Sequence, residues 1–129
     1  MPHNGKTILI VDDSLIVAHR VRILLLGQEG IGEVAHAVSY ADALAFLSAH
    51  RADIALLDIQ LPDGNGIELL RYVKQHFPGV QVVMVSNQSN ELYRIRCKTL
   101  GARHFLDKST EFDQLTFIIP QLLQVSPDL

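Results

Sequence analysis

Several common features are missing from this 129-residue chain, and each gap removes a class of function. A single cysteine, Cys97, cannot close an internal disulfide, so a reducing, cytosolic setting is the easy reading. It sits in a helical segment with no activating partner in view and reads as structural filler, not a catalytic thiol. Basic residues are not in excess: 11 Lys and Arg against 14 Asp and Glu leave a net charge of -3. Bulk charge therefore offers no footprint for nucleic acid or an anionic membrane. No apolar run is long enough to span a bilayer. The opening MPHNGK has neither a long apolar core nor a cleavage-site pattern, so it is not read as a secretion signal. Linkers, repeats and low-complexity segments are also absent. With 48% hydrophobic and 19% charged residues, the chain suits one domain around one core.

What is present is an ordered alternation. Lys6 to Val11, KTILIV, is a short β-branched run that reads as a buried strand, followed by Asp12, Asp13 and Ser14. Val17, Val21, Leu24 and Leu25 then recur at helical spacing, and Gly27 and Gly30 end that helix. A weaker strand is expected over Val34 to Val38. A helix over Ala41 to Ala49 follows, with Leu44 and Leu47 inward. Ile54 to Leu57 is the third strand, ending at Asp58. A helix over Ile67 to Phe77 follows the glycine loop, and Pro78 and Gly79 break it. Val80 to Val85 is the fourth strand, with Ser86 at its end. Asn90 to Leu100 is the fourth helix and Arg103 to Leu106 the fifth strand. The last helix spans Thr110 to Val125, where the interior Pro120 predicts a kink or a break. Strand and helix alternate five times, which implies a parallel sheet with helices on both faces. Open sheets of that kind bind ligands outside the carboxyl ends of their strands.

Those strand ends carry an unusual set. Strand one delivers Asp12 and Asp13, strand three Asp58, strand four Ser86 and strand five Lys108, while strand two delivers nothing comparable. Carboxylates held together repel, and one would take up a proton unless a cation joined them. A hard divalent ion such as Mg²⁺ accepts oxygen ligands and needs only one or two carboxylates beside water and phosphate. No histidine or cysteine stands in the set, which argues against zinc. A carboxylate can also attack phosphorus and form an aspartyl phosphate. The charge spread over a phosphoryl group in transfer must then be neutralised. Mg²⁺, the Lys108 ammonium and the Ser86 hydroxyl could do so from three directions. Each residue has a plainer use as well. Asp12 and Asp13 can favour a helix N-terminus, and Ser86 can cap a turn. Phe105 can be plain core, Lys108 can pair with Asp107 or Asp58, and Gly64 and Gly66 can serve only a turn. The set taken together favours the functional reading.

Asp12–Asp13, Asp58, Ser86 and Lys108, each ending its strand, together resemble the receiver domain of two-component response regulators, over roughly residues 6 to 125. The resemblance implies a flavodoxin-like α/β fold: a doubly wound five-stranded parallel sheet of order 2-1-3-4-5 with five helices. It implies one receiver domain over residues 1–129, with no output domain visible. Asp58 would be phosphorylated by a sensor histidine kinase or a phosphotransfer protein, in the cytoplasm. Mg²⁺ (or Mn²⁺) would be held by Asp13, Asp58 and the main-chain carbonyl of Gln60, with Asp12 acting through metal-bound water. Ser86 would move to bond the phosphoryl oxygen, and Phe105 would turn inward with it. Pro62 and Gly66 match the turn that follows the phosphorylated strand. A downstream protein is expected on the face of the fourth helix, fifth strand and fifth helix. Tyr93, Arg94, Cys97 and Lys98 should face outward there. No direct contact with nucleic acid or membrane is expected.

Two positions depart from the family pattern. Lys108 is usually followed by a proline through a cis bond, and here Ser109 follows it. A cis bond before a non-proline residue costs roughly 2.5–4 kcal/mol. Either that strain is kept or the bond relaxes to trans and aims Lys108 less firmly. Asn87 replaces the small residue usual after Ser86 and is expected to narrow access to Asp58. Two other functions were open to the same residues. A small phosphatase using an aspartyl phosphate needs an acid two residues after the nucleophile, where Gln60 stands, and a substrate cap for which there is no length. A phosphate-independent interaction module has no use for the intact acidic set. The run GQEGIG, Gly27 to Gly32, superficially resembles a nucleotide loop, but it follows a helix. His3, His19, His36, His50, His76 and His104 show no metal-pair spacing and read as surface or structural.

Overall fold

Apolar runs at the expected places become the strands of one parallel sheet in the computed structural model, which describes residues 5–124. The strands are β1 (Lys6–Val11), β2 (Ile31–Ala37), β3 (Ile54–Leu57), β6 (Gln81–Ser86) and β7 (His104–Asp107), with β4 (Gln60–Leu61) and β5 (Gly64–Asn65) forming a separate small hairpin. The sheet order is β2-β1-β3-β6-β7, which is 2-1-3-4-5 when only the sheet strands are counted. The helices are α1 (Leu15–Leu24), α2 (Tyr40–Ala49), α3 (Gly66–His76), α4 (Glu91–Thr99) and α5 (Leu115–Leu123). The first four start on side-chain caps: Ser14, Ser39, Asn65 and Asn90 each accept a backbone N–H from the first helical turn.

Alternation along each strand sends side chains to opposite faces. Leu9, Val11, Ala55, Leu57, Val82, Met84 and Phe105 face a core built with α2, α3 and α4. Ile8, Ile10, Ile54, Leu56, Val83, Val85 and Leu106 face a second core built with α1 and α5. Each fully buried aliphatic side chain contributes about 1.5–3 kcal/mol. No helix among the described residues is long and apolar enough to cross a membrane.

The structure departs from the sequence reading at several points. β2 begins at Ile31, three residues before Val34, because its ladder with β1 already pairs Lys6 with Ile31. The last helix begins at Leu115, after a 3₁₀ turn over Phe112–Gln114. Pro120 lies inside it without breaking it. Leu115, Ile118, Ile119 and Leu122 are buried along that helix, and their packing outweighs the one backbone bond that proline removes. The expected end at Val125 lies outside the described residues, as does His3. The outward face of α4 differs from the expectation. Cys97 is completely buried, Tyr93 packs against the core and the Arg94 guanidinium is engaged by neighbours; only Lys98 is exposed as expected. Tyr93, Cys97 and Leu100 fall at i, i+4 and i+7, the helical stripe that buries.

Candidate functional site

Four strands deliver acids, a hydroxyl and an amine to one edge of the sheet. The Lys108 ammonium donates to Asp12 Oδ2 at 2.8 Å and to Asp58 Oδ2 at 2.9 Å. Both carboxylates are buried, with residue exposures of 3% and 7%. Burial alone would push the Lys108 ammonium toward neutrality. Hydrogen bonds from Asp12 and Asp58, together with their charges, outweigh it and hold the amine above its ordinary value. Lys108 is thus the cation that joins the two carboxylates. The Lys108–Ser109 bond is trans, like every described peptide bond, and the ammonium still reaches both acids. It pairs with Asp58 and Asp12, not with Asp107. Asp107 instead accepts the Ser89 hydroxyl and the backbone N–H groups of Ser109 and Thr110. The Ser89 bond, followed by these N–H groups, holds the Asp107 carboxyl below the usual range.

Asp12 and Asp13 divide their work. Asp12 is fully engaged: its Oδ1 accepts from Ser14 N–H at 2.9 Å and its N–H donates to the Ala37 carbonyl at 3.1 Å. Its carbonyl lies 2.6 Å from Nε2 of His36. Strand two therefore does contribute to this edge, contrary to the sequence reading. Asp13 is exposed, and no described residue bonds its carboxylate. Asp58 Oδ1 receives only a long 3.4 Å contact from Gln60 N–H. Its carbonyl is crowded from behind. A Cβ placed on Gly66 would lie 1.9 Å from the Asp58 oxygen, so only glycine fits that turn.

The loop after β6 is tied on both sides. The Ser86 hydroxyl, in a residue only 1% exposed, accepts from Gln88 N–H at 3.1 Å, the turn-capping role foreseen as its plainer use. Gln88 Nε2 donates to Gln60 Oε1 at 3.2 Å, and Ser109 donates to Asn87 Oδ1 at 2.9 Å. The two positions that depart from the family pattern are therefore hydrogen-bonded to each other. Phe105 already points inward, at 7% exposure, and the Arg94 guanidinium lies 5.2 Å from its ring centre. Arg94 also donates to the carbonyls of Ser89 and Phe105 and pairs with Glu111 at 2.8 Å. That guanidinium, followed by the Asp107 N–H, holds the Glu111 carboxyl below its usual range. On the far side, Asp63 accepts the N–H groups of Tyr40 and Ala41 at 2.7 and 3.0 Å, tying the β3–α3 loop to the start of α2. Gln88 and Asp63 escaped the sequence reading, in which His36 is only surface or structural and Arg94 only outward-facing, because their roles depend on which strands and loops lie side by side.

Among the described residues, no three His, Cys, Asp or Glu side chains come together closely enough to hold a metal ion unaided. The donor set is nevertheless of the right kind for Mg²⁺ or Mn²⁺. The Asp13 carboxylate is unengaged, Asp58 Oδ1 is nearly so, and a hard ion of this type completes its shell with water and phosphate oxygens.

Residues 8–119 match the response regulator receiver domain, and the chain belongs to that family. It is a phosphoacceptor domain of the two-component type, with the flavodoxin-like fold. A CheY-like receiver domain protein from Methanospirillum hungatei JF-1 is 31% identical, with a TM-score of 0.79 over 92% of this chain and 94% of that one. The DNA-binding transcriptional activator DevR/DosR of Mycobacterium tuberculosis is 32% identical over 101 residues, 78% of this chain and 46% of its own length. The Mn²⁺-bound form of the response regulator Rcp1 is 27% identical, with a TM-score of 0.77 over 92% of this chain and 91% of that one. This chain spans about half the length of curated relatives such as DevR/DosR.

Proposed function

We propose that Asp58 accepts a phosphoryl group from a histidine kinase or phosphotransfer protein in the cytoplasm, and that the change is read on the α4–β7–α5 face. The Lys108 bridge between Asp12 and Asp58 carries this reading. It holds Asp58 Oδ2 and leaves Oδ1 almost free to attack phosphorus. As the O–P bond forms, the P–N bond of the donor phosphohistidine breaks, and its electron pair stays on the imidazole. Lys108 stays charged and stabilises the product. Asp13, Asp58 and the Gln60 carbonyl would hold Mg²⁺ or Mn²⁺, with Asp12 reaching it through water. When bound, that ion neutralises charge on the phosphoryl oxygens.

Ser86 would turn to donate its hydroxyl proton to a phosphoryl oxygen and, in turning, give up the Gln88 N–H that it accepts. Gln88 and Asn87 are tied to neighbouring loops, so this exchange moves the loop that starts α4. Phe105 and the Arg94 clamp carry the movement to the outer face. Leu92 and Ile95 on α4 and Phe117 on α5 are exposed at 79%, 54% and 73%, and Ile95 lines a cleft of about 440 Å³ together with Glu91, Lys98 and His104. A downstream protein docks on that face, while the net charge of -3 gives this domain no direct contact with nucleic acid. Beyond its own phosphorylation and dephosphorylation, the domain catalyses nothing. The Asn87–Ser109 bond screens the approach to Asp58 and slows small donors; an unchanged labelling rate by acetyl phosphate in Asn87→Ala would remove that role.

Incubation with Mg²⁺ and acetyl phosphate, followed by intact mass, tests the central reading. One phosphoryl group should be added to the native chain and none to Asp58→Asn. Equal addition to both proteins, or none to either together with no beryllofluoride-induced NMR shifts, overturns it.

A further inference from the structure

We infer that His36 is a positioning residue for the Asp12–Asp13 pair, setting the cation affinity of this edge from the neighbouring strand. The inference rests on the reading of Asp13 as a metal ligand. β2 lies beside β1 in parallel register, with Ile10 opposite His36 and Val11 opposite Ala37. The Asp12 N–H donates to the Ala37 carbonyl at 3.1 Å, and the Asp12 carbonyl meets His36 Nε2 at 2.6 Å. A carbonyl only accepts, so Nε2 carries the proton in this arrangement. β2 thus holds the peptide groups on both sides of Asp12.

The carbonyl that His36 holds belongs to the peptide joining Asp12 to Asp13. The Asp12 carboxylate is independently fixed by Ser14 N–H at 2.9 Å and by Lys108 at 2.8 Å. Asp13 has no such support, since its carboxylate is exposed and no described residue bonds it. Where that carboxylate sits follows from the peptide plane that precedes it. His36 is the side chain that bonds the carbonyl of that plane. Without the ring N–H the plane can rotate, and Asp13 must be re-ordered each time a cation binds. Loss of an outer support of this kind lowers metal affinity about 10–100-fold. The lower end, about tenfold, is expected here, because His36 acts through the backbone and not through a ligand side chain.

Mn²⁺ affinity, read from the EPR signal of the free ion, tests this without any phosphorylation. His36→Leu keeps bulk and loses the donor, and should bind Mn²⁺ about tenfold more weakly than the native chain. His36→Gln keeps an amide N–H within reach of the same carbonyl and should restore much of the affinity. Melting curves in EDTA check that both variants are folded. Native-like affinity in His36→Leu, or His36→Gln no tighter than His36→Leu, overturns the inference. Should His36→Leu fail to fold, the ring ¹⁵N spectrum of the native chain decides, since a proton on Nδ1 instead of Nε2 also overturns it. If the native chain and Asp13→Asn bind Mn²⁺ equally, the metal reading itself fails; if Asp13→Asn weakens binding and His36→Leu does not, only the role of His36 fails.

Discussion

Gly66→Ala is the substitution for which the structure makes its sharpest demand. The added Cβ would lie 1.9 Å from the Asp58 carbonyl oxygen, 2.7 Å from its carbon and 2.8 Å from Ile59 Cα. All three are backbone atoms, so no flexible side chain can give way. Reaching an ordinary van der Waals separation of about 3.5 Å requires the chain to part by about 1.5 Å. The Gly66 N–H also donates to the Ile59 carbonyl at 2.6 Å, and that bond cannot survive such a shift. Overpacking costs about 1–3 kcal/mol, and the lost hydrogen bond about 1 kcal/mol more. A destabilisation of about 3 kcal/mol is expected, or roughly 10 °C in Tm for a domain of this size. Gly79→Ala is the control, because a Cβ there meets nothing within 4 Å and its φ is not in the left-handed region. It should be neutral or stabilise by about 0.4–1 kcal/mol through the unfolded chain. Urea midpoints at matched m-values measure both. If Gly66→Ala unfolds within about 0.5 kcal/mol of Gly79→Ala, the close approach of α3 to the Asp58 backbone is refuted.

Three further outcomes follow from the same geometry. Lys108→Met leaves Asp12 and Asp58 facing each other without their cation, and should cost about 2 kcal/mol, somewhat less than a fully buried pair. Added Mg²⁺ should recover part of that loss in urea midpoints, and no recovery would contradict the placement of the acids. Cys97 is completely buried and burial raises its thiol pKa, so a thiol reagent should label the folded protein at least about a hundredfold more slowly than the unfolded chain. Immediate labelling would contradict the packing of α4. Burial, with Arg103 and Lys98 nearby, holds His104 below its ordinary value of 6.5. The unfolded chain then binds more protons below 6.5, so stability should fall as pH drops through that value and level off beneath the folded pKa. His104→Gln should flatten that slope in a pH series of urea midpoints, and an unchanged slope would refute the assignment.

The positions that converge at the sheet edge were legible because strand ends are legible. Asp12, Asp58, Ser86 and Lys108 each close an apolar run, and topology then forces them together. What the residues of one strand do to those of another was not legible. His36 reads as an isolated histidine until the parallel register sets β2 against β1 beside Asp12. Asn87 and Ser109 stood out singly, and only the loop geometry joins them. The burial of Cys97 was within reach, since Tyr93, Cys97 and Leu100 share helical spacing, but the surrounding charges hid the stripe. The start of β2 was missed because Gly32 and Glu33 interrupt its apolar pattern on an edge strand that water still reaches.

The sheet has a further consequence as a partition. Each strand feeds alternate residues into two separate cores, and Phe105 belongs to one of them while its neighbour Leu106 belongs to the other. A displacement of Phe105 is therefore felt first in the core it shares with α4, and reaches the segment that enters α5 through Arg94 and its partner Glu111 at the outer edge of the wall. The reacting edge thus sits over two separately packed layers, and the α4–β7–α5 face is the place where the two meet at the surface.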